Sequence, residues 1–158
     1  MRKVLVALDA SDDRIAVGNL VKEVTSNRPN VMVTLLHVAA PVPADVRQEV
    51  ARLDREVGLD VNIDTLVDRQ GTEILRPVEQ MLKEAGIPVE MEITVGDPGP
   101  EICRVAKSGG YYMVIMGRRG LSRIKEAFLG SVTEYVLRNS EIPVLIVQFP
   151  KVGAAKKG

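Results

Sequence analysis

Short apolar runs alternate with amphipathic stretches along most of this chain. Residues 4–8, 31–38, 112–116 and 144–147 are almost continuously apolar, as is typical of parallel strands that are covered on both faces. Between these runs, apolar residues recur at the spacing of one helical face. Strands that alternate with helices predict right-handed crossovers, and therefore an α/β fold with a doubly wound, five-stranded parallel sheet and helices on both of its faces.

One further strand has a different pattern. Apolar residues alternate with polar ones over residues 89–95, which predicts a strand with one solvated face at an edge of the sheet. Helices are predicted after Ser11, over residues 74–85, after Pro98 and over residues 131–139. Each predicted helix lies between two strands, as the crossover topology requires.

The segment 39–70 carries the fewest strand signals. Within it, one apolar stripe predicts a helix that either packs as an ordinary helix or closes over a site as a lid: Val46, Val50, Leu53 and Val57. The alternating residues Leu59, Val61 and Ile63 predict a short extended piece after this helix.

The composition narrows the class of protein. The 158 residues predict a single domain over residues 1–150 and a flexible tail over residues 151–158. The 21 basic and 21 acidic residues balance, so no overall charge favours nucleic acid or an anionic membrane. The single cysteine excludes an internal disulfide and fits a reducing compartment. With no signal-peptide pattern and no membrane-spanning apolar stretch, a cytoplasmic protein is expected.

A spaced set of glycines gives the strongest functional signal. Gly117 and Gly120 follow a predicted strand, and Gly130 and Ser131 open a predicted helix after nine intervening residues. Glycines let the backbone approach a ligand closely, and the N–H groups and positive dipole end of a helix N-terminus attract phosphate. Strand, loop and helix therefore follow one another in the order of a nucleotide phosphate site.

The predicted topology points to the same place. In doubly wound, Rossmann-like sheets, ligands bind beyond the carboxyl ends of the strands, where the strand order reverses. Asp9 follows the first strand along the chain, and Gly117 ends the fourth. If these two strands are neighbours at the reversal, their loops form one crevice that contains both residues.

With these motifs the chain resembles the universal stress protein family, specifically its ATP-binding branch, which carries Gly, two residues, Gly, nine residues, then Gly and Ser or Thr. The matching residues here are Gly117, Gly120, Gly130 and Ser131. Further similarity over residues 4–11, 36–38, 96–102 and 142–145 extends the resemblance to nearly the whole chain apart from residues 40–70. The chain departs from the family at Ala7, where many members have proline, and at Tyr112, where aspartate is common.

The resemblance implies a site for ATP, or for AMP or ADP. The residues that would line it, carried over position by position, are Ala7, Leu8, Asp9, Val38, Met116, Gly117, Arg119, Gly120, Gly130, Ser131 and Val132. Asp9 would meet the adenine or the ribose, and Val38 would pack on the adenine. Gly130, Ser131 and Val132 would present backbone N–H groups to the phosphates. Mg²⁺ or Mn²⁺ would bridge the phosphates, although no acidic pair marks a dedicated metal site.

Each candidate also has an ordinary structural interpretation. The glycines could serve only as turn residues, Ser131 as a helix N-cap, and Asp9 as a cap of the first helix or the partner of a basic side chain. The remaining candidates would then be solvated basic residues, a strand-end histidine and a buried, inert thiol: Arg118, Arg119, Arg123, Lys125, His37 and Cys103.

The sequence predicts no catalytic residue. It lacks the P-loop pattern, a GxGxxG after the first strand, and the Cys and His spacing of a zinc site. An adenine-nucleotide-binding stress or regulatory protein is therefore expected. Two alternatives stay open: a slow ATPase or phosphotransfer enzyme with Ser131 near the transferred group, and a dimeric interaction module without nucleotide.

The closing strand carries a prediction about assembly. Residues 144–147 are continuous in apolar character and uncharged, and a terminal strand often lies at a sheet edge. An open apolar edge invites pairing with a second copy. A two-fold homodimer joined along Val144–Val147 is therefore expected, and the family resemblance implies the same partner.

Overall fold

The computed structural model describes residues 1–11, 13–118 and 129–149. These residues contain a five-stranded parallel sheet of order β3-β2-β1-β4-β5. Its strands are β1 (Arg2–Ala7), β2 (Val31–Ala39), β3 (Val89–Val95), β4 (Met113–Gly117) and β5 (Val144–Val147). The strand order reverses between β1 and β4, so the predicted doubly wound α/β sheet is confirmed, and with it the juxtaposition of these two strands.

Helices cover both faces of the sheet, as the sequence predicts. The helices of the described residues are α1 (Asp13–Thr25), α2 (Ala44–Val57), α3 (Ile63–Glu84), α4 (Pro98–Ser108) and α5 (Ser131–Asn139). Helices α1 and α3 pack on one face of the sheet, and α4 and α5 pack on the other. The connections between the strands therefore pass through helices and return the chain to parallel strands.

The core consists of two aliphatic layers, one on each side of the sheet. Strand β1 contributes to both, because Val4 and Val6 pack towards α1 and α3 while Leu5 packs towards α4 and α5. All three side chains are buried. The continuous apolar pattern of β1 is thus explained by cover on both faces.

Close packing holds α1 against α3. A Cβ atom added at Gly18 would lie 2.9 Å from Cγ1 of Val78, so only glycine allows the two helices to approach at this point. Val17 and Val21 of α1 are buried beside this contact, whereas Val24 is exposed. The contact fixes the axis of α1, and its first turn lies at the carboxyl end of β1.

The segment before α3 corrects one prediction. Residues 59–63 form no strand, because α3 already begins at Ile63 and the side chain of Asn62 caps it by accepting the N–H of Thr65 at 3.0 Å. The alternation of three apolar residues is too short to compete with a capped helix. Helix α3 also contains Pro77 in its interior, so this proline does not mark the first turn.

The two edges of the sheet are where the pattern predicts them. Strand β3, with alternating polar residues, and strand β5, with the closing apolar run, are the outer strands.

None of the described helices combines the length and apolar character needed to cross a bilayer.

Candidate functional site

A cleft opens at the carboxyl ends of β1 and β4, at the reversal of the strand order. It encloses about 650 Å³, including the solvent at its mouth. Strand ends supply one part of its described walls: Ala7, Leu8, Leu36, Val38, Met116 and Gly117. The turn after β1 and the first turns of three helices supply the rest: Asp9, Ser11, Asp13, Arg14, Val17, Pro98, Ile102, Val132 and Thr133.

One side of the cleft is apolar. Leu36, Ile102 and Met116 are each at least nine-tenths buried and form its floor. Val38 and Val132 are partly exposed and border this floor. Apolar walls of this kind suit an apolar ring system that is withdrawn from water.

The β1–α1 turn brings polar groups to the cleft. The carboxylate of Asp9 accepts the backbone N–H of Ser11 through Oδ1 at 2.9 Å, which closes an Asx turn directly after β1. Helix α1 then begins at Asp13, and the N–H of Arg14 donates to the carbonyl of Ser11 at 3.3 Å. The turn therefore holds a carboxylate at the cleft. A carboxylate can accept a hydrogen bond from a sugar hydroxyl.

Hydrogen bonds join the end of β4 to the start of α5. The hydroxyl of Thr133 donates to the carbonyl of Gly117 at 3.1 Å, and Thr133 is only 2% exposed. The N–H of Arg118 donates to the carbonyl of Val147 at 2.9 Å, which ties the same chain end to β5. The first turn of α5 is thereby held beside the cleft.

Gly130 differs from the role that the resemblance implies. Its N–H donates to the carbonyl of Arg118 at 3.1 Å, so this amide is already occupied. Gly130 is also the N-cap of α5, and Ser131 is its first helical residue. Interpreting Ser131 as the N-cap was therefore wrong. The next amides of the first turn lack an intrahelical partner, as at any helix start.

The two described glycines of the motif are not explained by turn geometry. Gly117 ends a strand, and Gly130 has φ −61° and ψ 151°, a conformation open to any residue. Neither belongs to the described glycines with positive φ. Backbone conformation therefore does not require glycine at either position.

The structure brings most of the predicted site residues together. Ala7, Leu8, Asp9, Val38, Met116, Gly117 and Val132 line the cleft. Gly130 and Ser131 stand at the adjoining start of α5 and do not line it. Arg119 and Gly120 lie outside the described residues, as do Asp12, Arg123, Lys125 and the predicted tail 151–158.

Several lining residues were missed from the sequence. Arg14 reaches the cleft from α1, Ile102 from α4 and Thr133 from α5. For Ile102 and Thr133 a signal was present, because helices that follow parallel strands begin at the carboxyl edge of the sheet. For Arg14 there was none, since an arginine in a first helical turn usually faces solvent.

His37 and Cys103 do not line the cleft. The Nδ1 atom of His37 lies 3.0 Å from the carbonyl oxygen of Leu8, a contact that joins β2 to the end of β1. Cys103 is half-buried on α4, and burial raises the pKa of its thiol, which disfavours the reactive thiolate. Among the residues that the structure describes, no three His, Cys, Asp or Glu side chains are grouped to hold a metal ion.

Comparisons with known proteins agree on one family. The model of the universal stress protein family matches residues 1–148. Universal stress protein Sll1388 of Synechocystis is 32% identical over 151 residues, which cover 92% of this chain and 97% of the relative. The structure of protein MJ0577 of Methanocaldococcus jannaschii aligns with a TM-score of 0.75 at 28% identity and covers 95% of this chain and 97% of that one. A universal stress protein family structure from Arabidopsis thaliana, with AMP bound, aligns with a TM-score of 0.64 at 21% identity, covering 95% and 93% of the two chains.

Proposed function

This chain belongs to the universal stress protein family, and we propose that its cleft binds an adenine nucleotide in a regulatory rather than a catalytic role. The proposal rests on one observation: an apolar floor, a carboxylate and a helix N-terminus meet in the cleft. The cleft lies where the strand order reverses. Each of these suits a different part of a nucleotide. A fold relative with AMP bound is consistent with the proposal, which rests on the residues of this chain.

The apolar side of the cleft is proposed to hold the base. An adenine ring between Val38 and Ile102 would replace solvent over buried aliphatic surface at roughly 25 cal/mol per Å². Asp9 would then accept a ribose hydroxyl, because its carboxylate stands at the end of β1 next to this floor. Charge-assisted hydrogen bonds of this type are stronger than neutral ones.

The phosphates are proposed to lie beyond Gly117, against the start of α5. The amides of Ser131 and Val132 belong to the first turn of the helix, whose positive dipole end favours anions. The absence of side chains at Gly117 and Gly130 leaves the backbone approachable from this side. The resemblance further implies roles here for Arg119 and Gly120. ATP, with Mg²⁺ or Mn²⁺ bridging its phosphates, is the proposed ligand, and AMP and ADP are the shorter alternatives.

A matched pair of tryptophan variants tests the proposal. Val38→Trp places an indole over the apolar floor of the cleft, whereas Val24→Trp adds the same bulk on the exposed side of α1. Isothermal titration of nucleotide-free protein with ATP is expected to give binding for the wild type and for Val24→Trp. Val38→Trp should bind about 5- to 150-fold more weakly, since overpacking a site costs about 1–3 kcal/mol.

Two results of this titration would contradict the proposal. Wild-type protein that takes up neither ATP, ADP nor AMP would leave the interaction-module alternative. Equal weakening in both tryptophan variants would show that the loss does not arise in the cleft. Release of phosphate during the titration, well above that of buffer alone, would instead favour the slow-ATPase alternative.

We also propose a homodimer through β5. Among the described strands, β5 pairs only with β4, so its other edge has unpaired backbone groups. Leu145 on β5 and Leu137 on α5 are exposed, at 39% and 44%. Edge pairing with a second copy would satisfy the backbone and cover these side chains.

Light scattering tests the dimer. Proline at Leu145 or Ile146 should remove strand pairing and yield monomer, because proline lacks the N–H that a ladder needs. Leu145→Arg should do the same without breaking the strand, whereas Val95→Arg, on the opposite edge and also exposed, should stay dimeric. A monomeric wild type, or a folded Leu145→Arg protein that is still dimeric, would contradict this interface.

A further inference from the structure

Arg14 is the only cationic side chain among the described residues that line the cleft. It belongs to the first turn of α1, directly after the Asx turn that Asp9 closes. Arg14 lies outside the glycine motif and outside the residues that the family resemblance assigns to the nucleotide. Its presence in the cleft therefore requires an explanation of its own.

The guanidinium group of Arg14 is only partly satisfied. Nη1 donates to the carbonyl of Ala10 at 2.8 Å and to the carbonyl of Ser11 at 3.0 Å. The Nε atom is buried and has no hydrogen-bond partner among the described residues. A buried N–H of a charged group without a partner is destabilising, so this side chain rests in an arrangement that a further acceptor would improve.

Two helix N-termini beside Arg14 favour an anion as that acceptor, and the carboxylates of Asp9 and Asp13, which also line the cleft, oppose it. Ala7 of β1 pairs with Met116 of β4, so the turn that precedes α1 and the residues that follow β4 meet across the reversal. The N-termini of α1 and α5 both line the cleft through their first turns, and both present positive dipole ends. Arginine binds phosphate through a planar set of N–H donors, and the Nε–H of Arg14 has no partner among the described residues.

We propose that Arg14 binds the phosphate group next to the ribose, the one that AMP and ATP have in common. The inference rests on the proposed nucleotide function and adds to it a cationic contact from α1. Arg14 lines the same cleft as Asp9, the proposed ribose contact. On binding, the guanidinium leaves its contacts with the Ala10 and Ser11 carbonyls in part and turns its free donors towards the phosphate.

A comparison of charged and uncharged ligands tests this assignment. Arg14→Met removes the charge and keeps the length of the side chain, and Arg14→Lys keeps a charge without the planar donors. AMP and ATP are expected to bind about 10- to 100-fold more weakly to Arg14→Met, the worth of a hydrogen bond to a charged group. Adenosine should bind as it does to the wild type, and Arg14→Lys should recover part of the loss.

The control is Lys22→Met, which removes one positive charge from the exposed last turn of the same helix. It should leave the affinities for AMP and ATP unchanged. If adenosine binding falls as much as AMP binding in Arg14→Met, Arg14 supports only the wall of the cleft and the proposal is overturned. Loss of ATP affinity with unchanged AMP affinity would move the contact to an outer phosphate and also overturn the assignment.

The failure of this inference can be told apart from the failure of the nucleotide function. If wild-type protein binds no adenine nucleotide, the proposed function fails first. If the wild type binds AMP and ATP and Arg14→Met binds them equally well, only the role of Arg14 fails. The melting temperature of each variant checks that the turn after β1 is intact.

Discussion

Helices α2 and α5 follow strands that end at the same cleft, yet they relate to it in opposite ways. Helix α5 buries Thr133 and Val136 and brings Val132 to the cleft. Helix α2 is longer, with 14 residues against nine, and none of its residues is buried. It supplies no residue to the cleft, and an ion pair of 2.9 Å between Arg47 and Asp64 links it to the start of α3.

The two helices show that an apolar stripe predicts a helix but not whether that helix is buried against the sheet. Both helices have apolar residues at helical spacing, and both form where that spacing predicts a helix. Only α5 returns directly to the sheet, because the strand after it pairs with the strand before it. Helix α2 is followed by α3, which takes the place against the sheet, so α2 is left outside with Val46 and Val57 exposed.

Truncating one valine in each helix should change the stability of the protein by very different amounts. Val136→Ala should lower the free energy of unfolding by about 2 kcal/mol, because Val136 is fully buried against the sheet. Val57→Ala should change it by less than about 0.5 kcal/mol, because Val57 is 65% exposed. Urea unfolding followed by circular dichroism measures both values.

Equal losses in these two variants would break the comparison. They would mean that α2 is packed in solution, for example against a second copy, and that its apolar stripe is covered there. A dependence of the Val57→Ala effect on protein concentration would identify such a contact.

A smaller effect is expected where α5 is tied to β4. Thr133→Val keeps the shape of the side chain and removes the hydrogen bond to the Gly117 carbonyl, which should cost about 1 kcal/mol of stability. Because Gly117 lines the cleft, AMP binding should weaken by up to about 5-fold, the equivalent of the same energy. Titration with AMP and thermal unfolding measure the two effects.

Thr25→Val is the matched control for this change. Thr25 is also buried, and its hydroxyl donates to the carbonyl of Val21 at 2.7 Å within α1, at the end remote from the cleft. It should alter stability by a similar or smaller amount and leave AMP binding unchanged. If both threonine variants bind AMP as tightly as the wild type does, the hydrogen bond of Thr133 stabilises the fold and does not contribute to AMP binding.

Most of the fold could be predicted from the sequence, because its signals are local. Each signal reflects the burial or the backbone conformation of its own segment. Examples are the apolar runs at β1 and β5, the alternation at β3 and the proline that opens α4. The adjacency of β1 and β4 was only a condition of the predicted crevice, because the crossover rule does not fix which strands are neighbours. The start of α3 was missed, because the Asn62 cap that begins it looks like an ordinary polar residue until the helix is seen.

The candidate site was predictable in part. The residues at strand ends, such as Asp9 and Met116, follow from topology and from the family resemblance. The contribution of Arg14 depends on which way a long side chain folds in a first helical turn, and spacing carries no information about that. The occupied amide of Gly130 likewise depends on a hydrogen bond to Arg118, twelve positions away in the chain.

The most direct test of the central claim is the identity of what the cleft holds. Freshly purified wild-type protein would be denatured beside Val38→Trp and Val24→Trp, and the released nucleotides identified by chromatography. We expect ATP or AMP from the wild type and from Val24→Trp, and little or none from Val38→Trp. A wild-type protein that releases no adenine nucleotide and takes up none when Mg-ATP is added would contradict the account.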